Sequence, residues 1–419
     1  MTSVIQASPA CNLLPQGQAM RHADPARIAV ALTESRAELL AMWGGFERTL
    51  GAGGLRIGYD PVLNLPLWEL GHIGWFEEWW IARNRDRARG IHYDAALARA
   101  PSLLPGSDAL YDSANVEHTR RWQLDLPGAD ETRGYLSDVR DATLALLTQS
   151  RSDDDALYFF RLVLFHDAMH REAWRMMAQH LGIDLGLGIT HPVAHERVAD
   201  SQWQVPGGLR RIGASGGGFA FDNELKAHEQ VVESFGIDRA VVPWRRYLPF
   251  IEAGGYDDER LWPFDGWQWR KQHSNGMPLH LRRSGDGWQQ HRFGRWLPIE
   301  LDAPALHLTA HEAAAWCRFA GRRLPTEFEW ETAAVLAMEL REPFDWGRVW
   351  EWTASPHAPY PGFMAHPYRE YSAPFFDGRP VLRGGSWATD PILLHPRYRN
   401  YFSANRADVY AGLRSCTAS

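Results

Sequence analysis

Residues 25–50 (PARIAVALTESRAELLAMWGGFERTL) place apolar side chains three or four positions apart, the spacing of one face of an α-helix. Pro25 suits the first turn of that helix, where no backbone N–H is required. Residues 67–84 (LWELGHIGWFEEWWIARN) are apolar on nearly every side, so this second helix is expected to be buried. Residues 131–149 and 155–182 supply two more amphipathic helices, the last ended by Gly182 as a C-cap. With a long connection at 85–130, the natural arrangement is a four-helix bundle over 25–185, preceded by a tail at 1–24.

The pattern changes at about residue 186. Pro192, Pro206 and the Gly-rich stretch from Gly213 to Gly218 mark a linker at 186–200 and then turns. From 201 to 419 the chain reads as short strands and long loops, with helices at 309–320 and 326–338. Thr309 is placed to cap the first of these, and Thr326 with Glu329 forms a capping box for the second. The fold class is therefore α+β multidomain, a helical bundle followed by a loop-rich α+β domain, and no repeat recurs at a fixed period.

Composition narrows the function. A chain of 419 residues holds two or three domains. The net charge of −7 and the lack of a basic run speak against a nucleic-acid partner. No stretch approaches the ~18 apolar residues of a membrane helix, and the first twenty residues lack a secretory pattern. Cys11, Cys317 and Cys416 are odd in number and far apart, which suits a reducing cytoplasm. The 20 Trp residues are enough to wall a cavity for a cation.

The sharpest chemical signal is His166-Asp-Ala-Met-His170-Arg-Glu172 on the fourth helix. Two His four positions apart share one helical face and can grip one metal ion. His72, on the buried second helix, is a third candidate, since bundle cores assemble metal sites from facing helices. The same imidazoles also suit a satisfied core. Asp167 follows His166, so the HExxH pattern of zinc proteases is absent. Three neutral imidazoles suit either a zinc hydrolase or a non-haem iron oxygenase, and spacing does not choose between them.

The segments LWELGHIGWFEEWW and FHDAMHRE resemble the DinB-type bundle of the non-haem iron sulfoxide synthases of ergothioneine type. VPGGLRRIG, FAFDNELKAHE, RRLPTEFEWETAA, VWEWTAS, VLRGGSW and AGLRS resemble the formylglycine-generating-enzyme-like domain, a C-type-lectin-related fold. The likeness runs from about residue 25 to 416. It implies an oxidoreductase that uses Fe(2+) and O2 to join a chalcogen donor to carbon 2 of the imidazole of hercynine. His72, His166 and His170 would then be the metal ligands.

Several positions depart from the family pattern. Met169 stands where the family usually has Gln. Arg399-Asn400-Tyr401-Phe402 replaces R-N-W-D, so an apolar ring takes the place of the acid that holds a donor's amino group. The loop at 101–113 (PSLLPGSDALYDS) lacks the arginines that hold glutamyl-cysteine. Each such charged hydrogen bond is worth ~1.5–3 kcal/mol, so an anionic dipeptide donor is disfavoured. A related subgroup, the selenoneine synthases, couples hercynine to a selenosugar, and that is the reading adopted here. The alternatives are an ergothioneine-type synthase using a thiol such as gamma-glutamylcysteine or cysteine, a zinc-dependent thiol transferase, and a non-catalytic glycan binder.

Within that resemblance, Trp75, Trp79 and Tyr401 are candidates to hold the quaternary ammonium by cation–π contact. Asn400 is expected to meet the hercynine carboxylate, and Tyr401 with Phe402 offers an aromatic platform for a sugar. The family also uses an active-site tyrosine as proton donor. The loop PYPGFMAHPYREY offers Tyr360, Tyr368 and Tyr371, with Phe363 filling the family position, and no single catalytic residue is assigned. Glu172 is expected to orient a ligand or to pair with an arginine.

Overall fold

The structure, a computed structural model, describes residues 16–187, 201–273 and 275–418. The tail before residue 16 with Cys11, and all of the 186–200 linker from residue 188 on with Pro192, lie outside the described residues.

Four long helices open the chain: α1 (Pro25–Leu50), α2 (Pro66–Trp80), α3 (Ala129–Leu147) and α4 (Asp154–Leu181). Pro25 occupies the first turn of α1, and the Asp24 carboxylate accepts from the Arg27 N–H. Asp153 caps α4 in the same way through Ala156 N–H, and Gly182 ends it at φ 70°. Such a side-chain cap contributes ~1 kcal/mol. α2 ends at Trp80 rather than 84, because the chain turns away to send Arg83 to Asp108 at 2.6 and 2.9 Å and to the Ala100 carbonyl at 2.8 Å.

α1 packs on α4, and α2 lies between α3 and α4. All but two residues of α2 are buried, which is what its unbroken apolar pattern anticipates. Gly71 makes this close packing possible: a Cβ there would stand 2.2 Å from the Tyr111 ring. The one-turn helix Ser107–Tyr111 can therefore press directly on α2 beside His72.

The rest of the chain is α+β, with strands numbered in chain order. One sheet runs β1 (Gln202–Val205), β4 (Phe235–Asp238), β13 (Cys416–Thr417), β8 (Arg322–Arg323). A second runs β11 (Asn400–Tyr401), β10 (Pro380–Arg383), β9 (Trp350–Pro356), β12 (Ala411–Gly412), with β12 parallel to β9. A hairpin of β2 (Gly208–Ile212) with β3 (His228–Val232) and a meander of β5 (Leu281–Ser284), β6 (Gly287–Arg292) and β7 (Arg295–Pro298) complete the strands.

Two further helices, α5 (Trp244–Glu252) and α6 (Phe264–Gln272), were not anticipated by hydrophobic periodicity. Each is only nine residues long, and α5 carries Pro249 within it. Segments this short draw their helicity from packing, and both lie on α7 (Ala310–Phe319). α7 and α8 (Glu327–Leu340) are the two helices that the capping signals anticipate, each opened by a complete Thr–Glu capping box.

α4 is the element that joins the two halves. Arg171 pairs with Asp390, Arg175 donates to the Ala388 carbonyl at 3.3 Å, and its own carbonyl accepts from Tyr410 Oη at 2.8 Å. Gln179 both donates to the His291 carbonyl and accepts from Phe293 N–H, each at 2.9 Å. α4 thus turns His166 and His170 toward α2 while Arg171, Arg175 and Gln179, on another face of the helix, hold the C-terminal domain. Among the described residues no helix is long and apolar enough to cross a membrane.

Candidate metal centre

His166 and His170 stand one turn apart on α4, and α2 brings His72 against them. One ring nitrogen from each lies within 4.8 Å of the other two. The ring centroids are 5.3 Å (His72–His166), 5.2 Å (His72–His170) and 4.4 Å (His166–His170) apart.

The partners of these rings decide which nitrogens are open. His72 Nδ1 lies 2.8 Å from the Tyr111 carbonyl oxygen. A carbonyl only accepts, so Nδ1 carries the proton and Nε2 keeps its lone pair. His170 Nδ1 donates to the Glu69 carboxylate at 2.7 Å, which frees its Nε2 in the same way. That Nε2 faces His166 Nε2 at 3.1 Å, while His166 Nδ1 is buried without a partner among the described residues. A hydrogen-bonded Nδ1 with a convergent Nε2 is how proteins orient imidazoles toward a metal.

Burial first, then mutual repulsion, pushes His72 down to about 3 and His166 well below the usual imidazole range. Both rings are therefore neutral near pH 7, the form that ligates. His166 also lies flat on Phe76 (centroids 3.5 Å apart, 4° between planes), which fixes its orientation. The donor set fits a divalent ion held by three neutral imidazoles, with positions left for other molecules.

A cavity of about 240 Å³ opens beside this triad. Glu69 and Met169 line it on the bundle side, and Asn400, Tyr401, Phe402, Tyr371 and Tyr398 on the other. Asn400 Oδ1 accepts from Tyr401 N–H at 2.8 Å, which leaves its amide nitrogen as the donor for a ligand. The Tyr401 ring stacks on His357 at 4.0 Å. Among the described residues the acidic and basic side chains of the lining are Glu69, Glu172, Asp408 and Arg406, and Arg406 is already clamped by Asp408 through two 2.5 Å hydrogen bonds.

Trp75 and Trp79 are not in that lining. Trp75 donates its indole N–H to Asp108 at 2.7 Å and stacks beside His72. The guanidinium groups of Arg83 (4.9 Å) and Arg99 (4.7 Å) lie over the Trp79 ring and Trp75 stacks against it at 5.5 Å, so its cation-binding surface is taken by the protein itself.

The tyrosine loop resolves into separate tasks. Tyr368 packs edge-on to Phe76 at 4.9 Å and lies 6.2 Å from the His166 ring. Tyr360 instead donates to Glu327 at 3.1 Å beneath the Arg399 guanidinium, and Phe363 packs on Phe376. Among the described residues, no hydrogen bond or ion pair joins Glu172 to the triad or to an arginine. Its Oε1 accepts from Trp350 Nε1 (2.8 Å), Ser386 Oγ (2.7 Å) and Thr389 Oγ1 (2.8 Å), while burial raises its pKa.

Several members of the site were missed in the sequence. Glu69 lies three positions before His72, a spacing that puts both on one helical face and was itself a usable signal. Asn64, which donates to Glu69 at 3.2 Å and accepts from Arg121 at 2.6 Å, sits on a loop with no such signal. Arg406 and Asp408 likewise come from an irregular segment.

Fold and site together define a class: a helical bundle bearing a three-histidine centre, closed over by a loop-rich α+β domain. Residues 190–348 match the family described as "Sulfatase-modifying factor enzyme 1-like domain". The chain is 33% identical over 410 residues to a hercynine oxygenase of Mycolicibacterium smegmatis, covering 85% of this chain and 91% of that protein. A hercynine oxygenase of Mycobacterium tuberculosis is also 33% identical, over 407 residues, with the same coverage of 85% and 91%. A formylglycine-generating enzyme of Streptomyces coelicolor is 30% identical over 168 residues, 37% of this chain and 53% of that enzyme. The chain belongs to the hercynine oxygenase family of oxidoreductases.

Proposed function

We propose that this chain is an iron(II)- and O2-dependent synthase that joins hercynine to a selenosugar, with His72, His166 and His170 as the metal ligands. In the overall reaction the imidazole C2–H and the donor Se–H bonds are lost and C2–Se and Se–O bonds form. The second oxygen atom leaves as water, so O2 is the only oxidant required. The selenoxide conjugate then eliminates its sugar as an unsaturated sugar and leaves a selenenic acid, which two equivalents of an external thiol reduce to selenoneine, releasing a disulfide and water. Iron(II) bound at the triad supplies the redox chemistry that activates oxygen.

The observation that carries the donor assignment is the charge of the 240 Å³ cavity. Among the described residues Arg406 and Asp408 cancel one another there, which leaves two acidic side chains, Glu69 and Glu172, and no second arginine. An anionic dipeptide entering there meets repulsion with no free cation among the described residues in compensation, whereas a neutral sugar meets hydroxyl, amide and aromatic partners. The same lining favours the quaternary ammonium of hercynine, with Tyr371, Tyr398 and Tyr401 as the rings and Asn400 Nδ2 as donor to its carboxylate.

Tyr368 is the proton donor of the tyrosine loop in this reading. Burial holds its hydroxyl well above the usual phenol pKa, so the proton stays at Oη until the reaction draws it. Tyr360 is excluded because its hydroxyl is committed to Glu327. The triad and the aromatic cavity wall position both substrates and exclude water.

A competition assay tests this directly. Iron-loaded protein, hercynine and air are offered a selenosugar, gamma-glutamylcysteine and cysteine together, and products are read by mass spectrometry. A hercynine–selenium product is expected. A hercynine–sulfur product instead restores the ergothioneine-type reading, and no coupling with any donor points to a zinc-dependent transferase.

A further inference from the structure

Two neighbouring side chains, Phe221 and Asp222, lie behind the loop that carries Tyr368 and Tyr371. They sit on the seam between α4 and the C-terminal domain, at the start of a one-turn helix, Asp222–Glu224. Glu224 is fastened there by the Arg21 guanidinium at 2.8 and 3.2 Å. The Phe221 ring meets Phe165, the neighbour of His166 on α4, edge-on at 6.0 Å. Asp222 is buried.

Asp222 holds both ends of one segment of the tyrosine loop. Its Oδ2 accepts from the His366 backbone N–H at 3.2 Å, and its Oδ1 accepts from Ser372 Oγ. Between those ends stands Tyr368, packed on Phe76 at 4.9 Å and 6.2 Å from the His166 ring. Tyr371 follows, stacked on Phe221 at 4.3 Å with 21° between the planes. One carboxylate thus ties off the segment that presents both rings.

The segment has little else to fix its backbone. Among the described residues its other backbone hydrogen bonds are local, from Arg369 N–H to the Pro367 carbonyl and from Tyr371 N–H to the Tyr368 carbonyl. The first end has one further tie, Tyr158 Oη at 3.2 Å from His366 Nδ1. Asp222 in turn forms no ion pair with a described residue, so donors from this loop are what offset the burial of its carboxylate.

We infer that Asp222 is a positioning residue for the reaction, acting through Tyr368. By pinning residues 366 and 372 it sets where Tyr368 rests on Phe76, and with that the reach of the Tyr368 hydroxyl toward a substrate at the triad. Phe221 keeps Tyr371 in the cavity wall by the same means. The inference rests on the reading of Tyr368 as the proton donor. Such a donor works only within hydrogen-bond reach, and a misplacement of ~1 Å can cost ~10²-fold in rate. Asp222 itself does not line the cavity.

The test joins hydrogen exchange to a double-mutant cycle. In the metal-free full chain, Asp222→Ala should speed amide exchange across 366–372. Asp222→Asn should leave it slow, because its amide still accepts from His366 N–H and donates to Ser372 Oγ. Ser372→Ala frees one end alone, and it carries the same comparisons if Asp222→Ala does not fold. The iron-loaded enzyme is then offered hercynine with the selenosugar, gamma-glutamylcysteine and cysteine. Asp222→Ala should lower the coupling rate ~10²-fold, Ser372→Ala less, and Asp222→Asn hardly at all. Added to Tyr368→Phe, Asp222→Ala should cost almost nothing more, because the group it positions is gone. Unchanged exchange or coupling in Asp222→Ala, or a full further loss on top of Tyr368→Phe, would overturn the inference and leave the role of Tyr368 standing. Wild-type coupling by Tyr368→Phe would overturn that role, and the inference with it.

Discussion

The Glu69 carboxylate and His170 Nδ1 meet at 2.7 Å although 101 positions separate them in the chain. Through this bond α2 sets the direction in which α4 presents His170 Nε2. Glu69 is itself held by Asn64, which Arg121 holds in turn. The candidate centre is thus oriented by a relay of side chains behind it as well as by its three imidazoles.

Removing that support should weaken metal binding without unfolding the bundle. Glu69→Ala is expected to lower iron(II) affinity ~10–100-fold, the usual loss when an imidazole's outer partner is deleted. Glu69→Gln should fall less, since its amide oxygen still accepts from Nδ1. Metal titration followed by a competing chelator reads both. Wild-type affinity in Glu69→Ala would show that His170 needs no such partner.

Tyr368→Phe should lower turnover ~10²–10⁴-fold, or divert the product, with almost no change in melting temperature. Tyr360→Phe should do the opposite, since its hydroxyl serves Glu327 rather than the cavity. Single-turnover product analysis beside a thermal melt separates the two. Equal activity of Tyr368→Phe and wild type would remove Tyr368 from the mechanism.

Glu172 ties α4 to three donors of the C-terminal domain, so Glu172→Ala leaves a buried indole N–H and one hydroxyl proton without an acceptor, while the Ser386 and Thr389 hydroxyls keep their 3.2 Å contact with each other. A loss of ~2–4 kcal/mol is expected, at ~1–3 kcal/mol for each group that finds no water. Glu172→Gln keeps an acceptor oxygen and should lose less. Denaturant unfolding of the two variants measures the difference, and an unaltered midpoint in Glu172→Ala would show that the seam does not depend on it.

Acid should destabilise the fold through buried histidines outside the triad. Burial, with Arg399 adding repulsion, lowers His357 to about 3, and burial lowers His366 to about 4, from an ordinary value of 6.5. As pH falls below 6.5 the unfolded chain takes up protons that the folded one refuses. Stability present above that pH is then lost by up to ~1.4 kcal/mol per pH unit for each ring, until the folded pKa is reached. Melting temperature measured from pH 7 to pH 4 should decline across that window. A flat profile from 6.5 to 4.5 would contradict the neutral assignment.

The bundle was legible because α1, α2 and α4 carry strong local signals. Asp24 with Pro25 starts one helix, Gly182 stops another, and the apolar run of α2 demands burial. α5 and α6 were illegible, since nine-residue segments fold as helices only by packing on α7. At the site, His166 and His170 share a helical face by spacing alone. Trp79 shows the limit of composition: aromatic richness suggested a cation cage, but Arg83 and Arg99 are the cations that lie over Trp79.

What the sequence determined by itself was periodicity, capping chemistry and the three imidazoles, since each depends on neighbours within a turn or two. What only the tertiary structure decided was which distant groups complete them. Glu69 and the Tyr111 carbonyl choose the open nitrogens, Asp408 cancels Arg406 in the cavity, and Tyr368 rather than Tyr360 is brought to the triad. These contacts are made by side chains and loops with no shared period. Their partners are selected by packing and by the need to pair every buried charge, which a linear pattern does not encode.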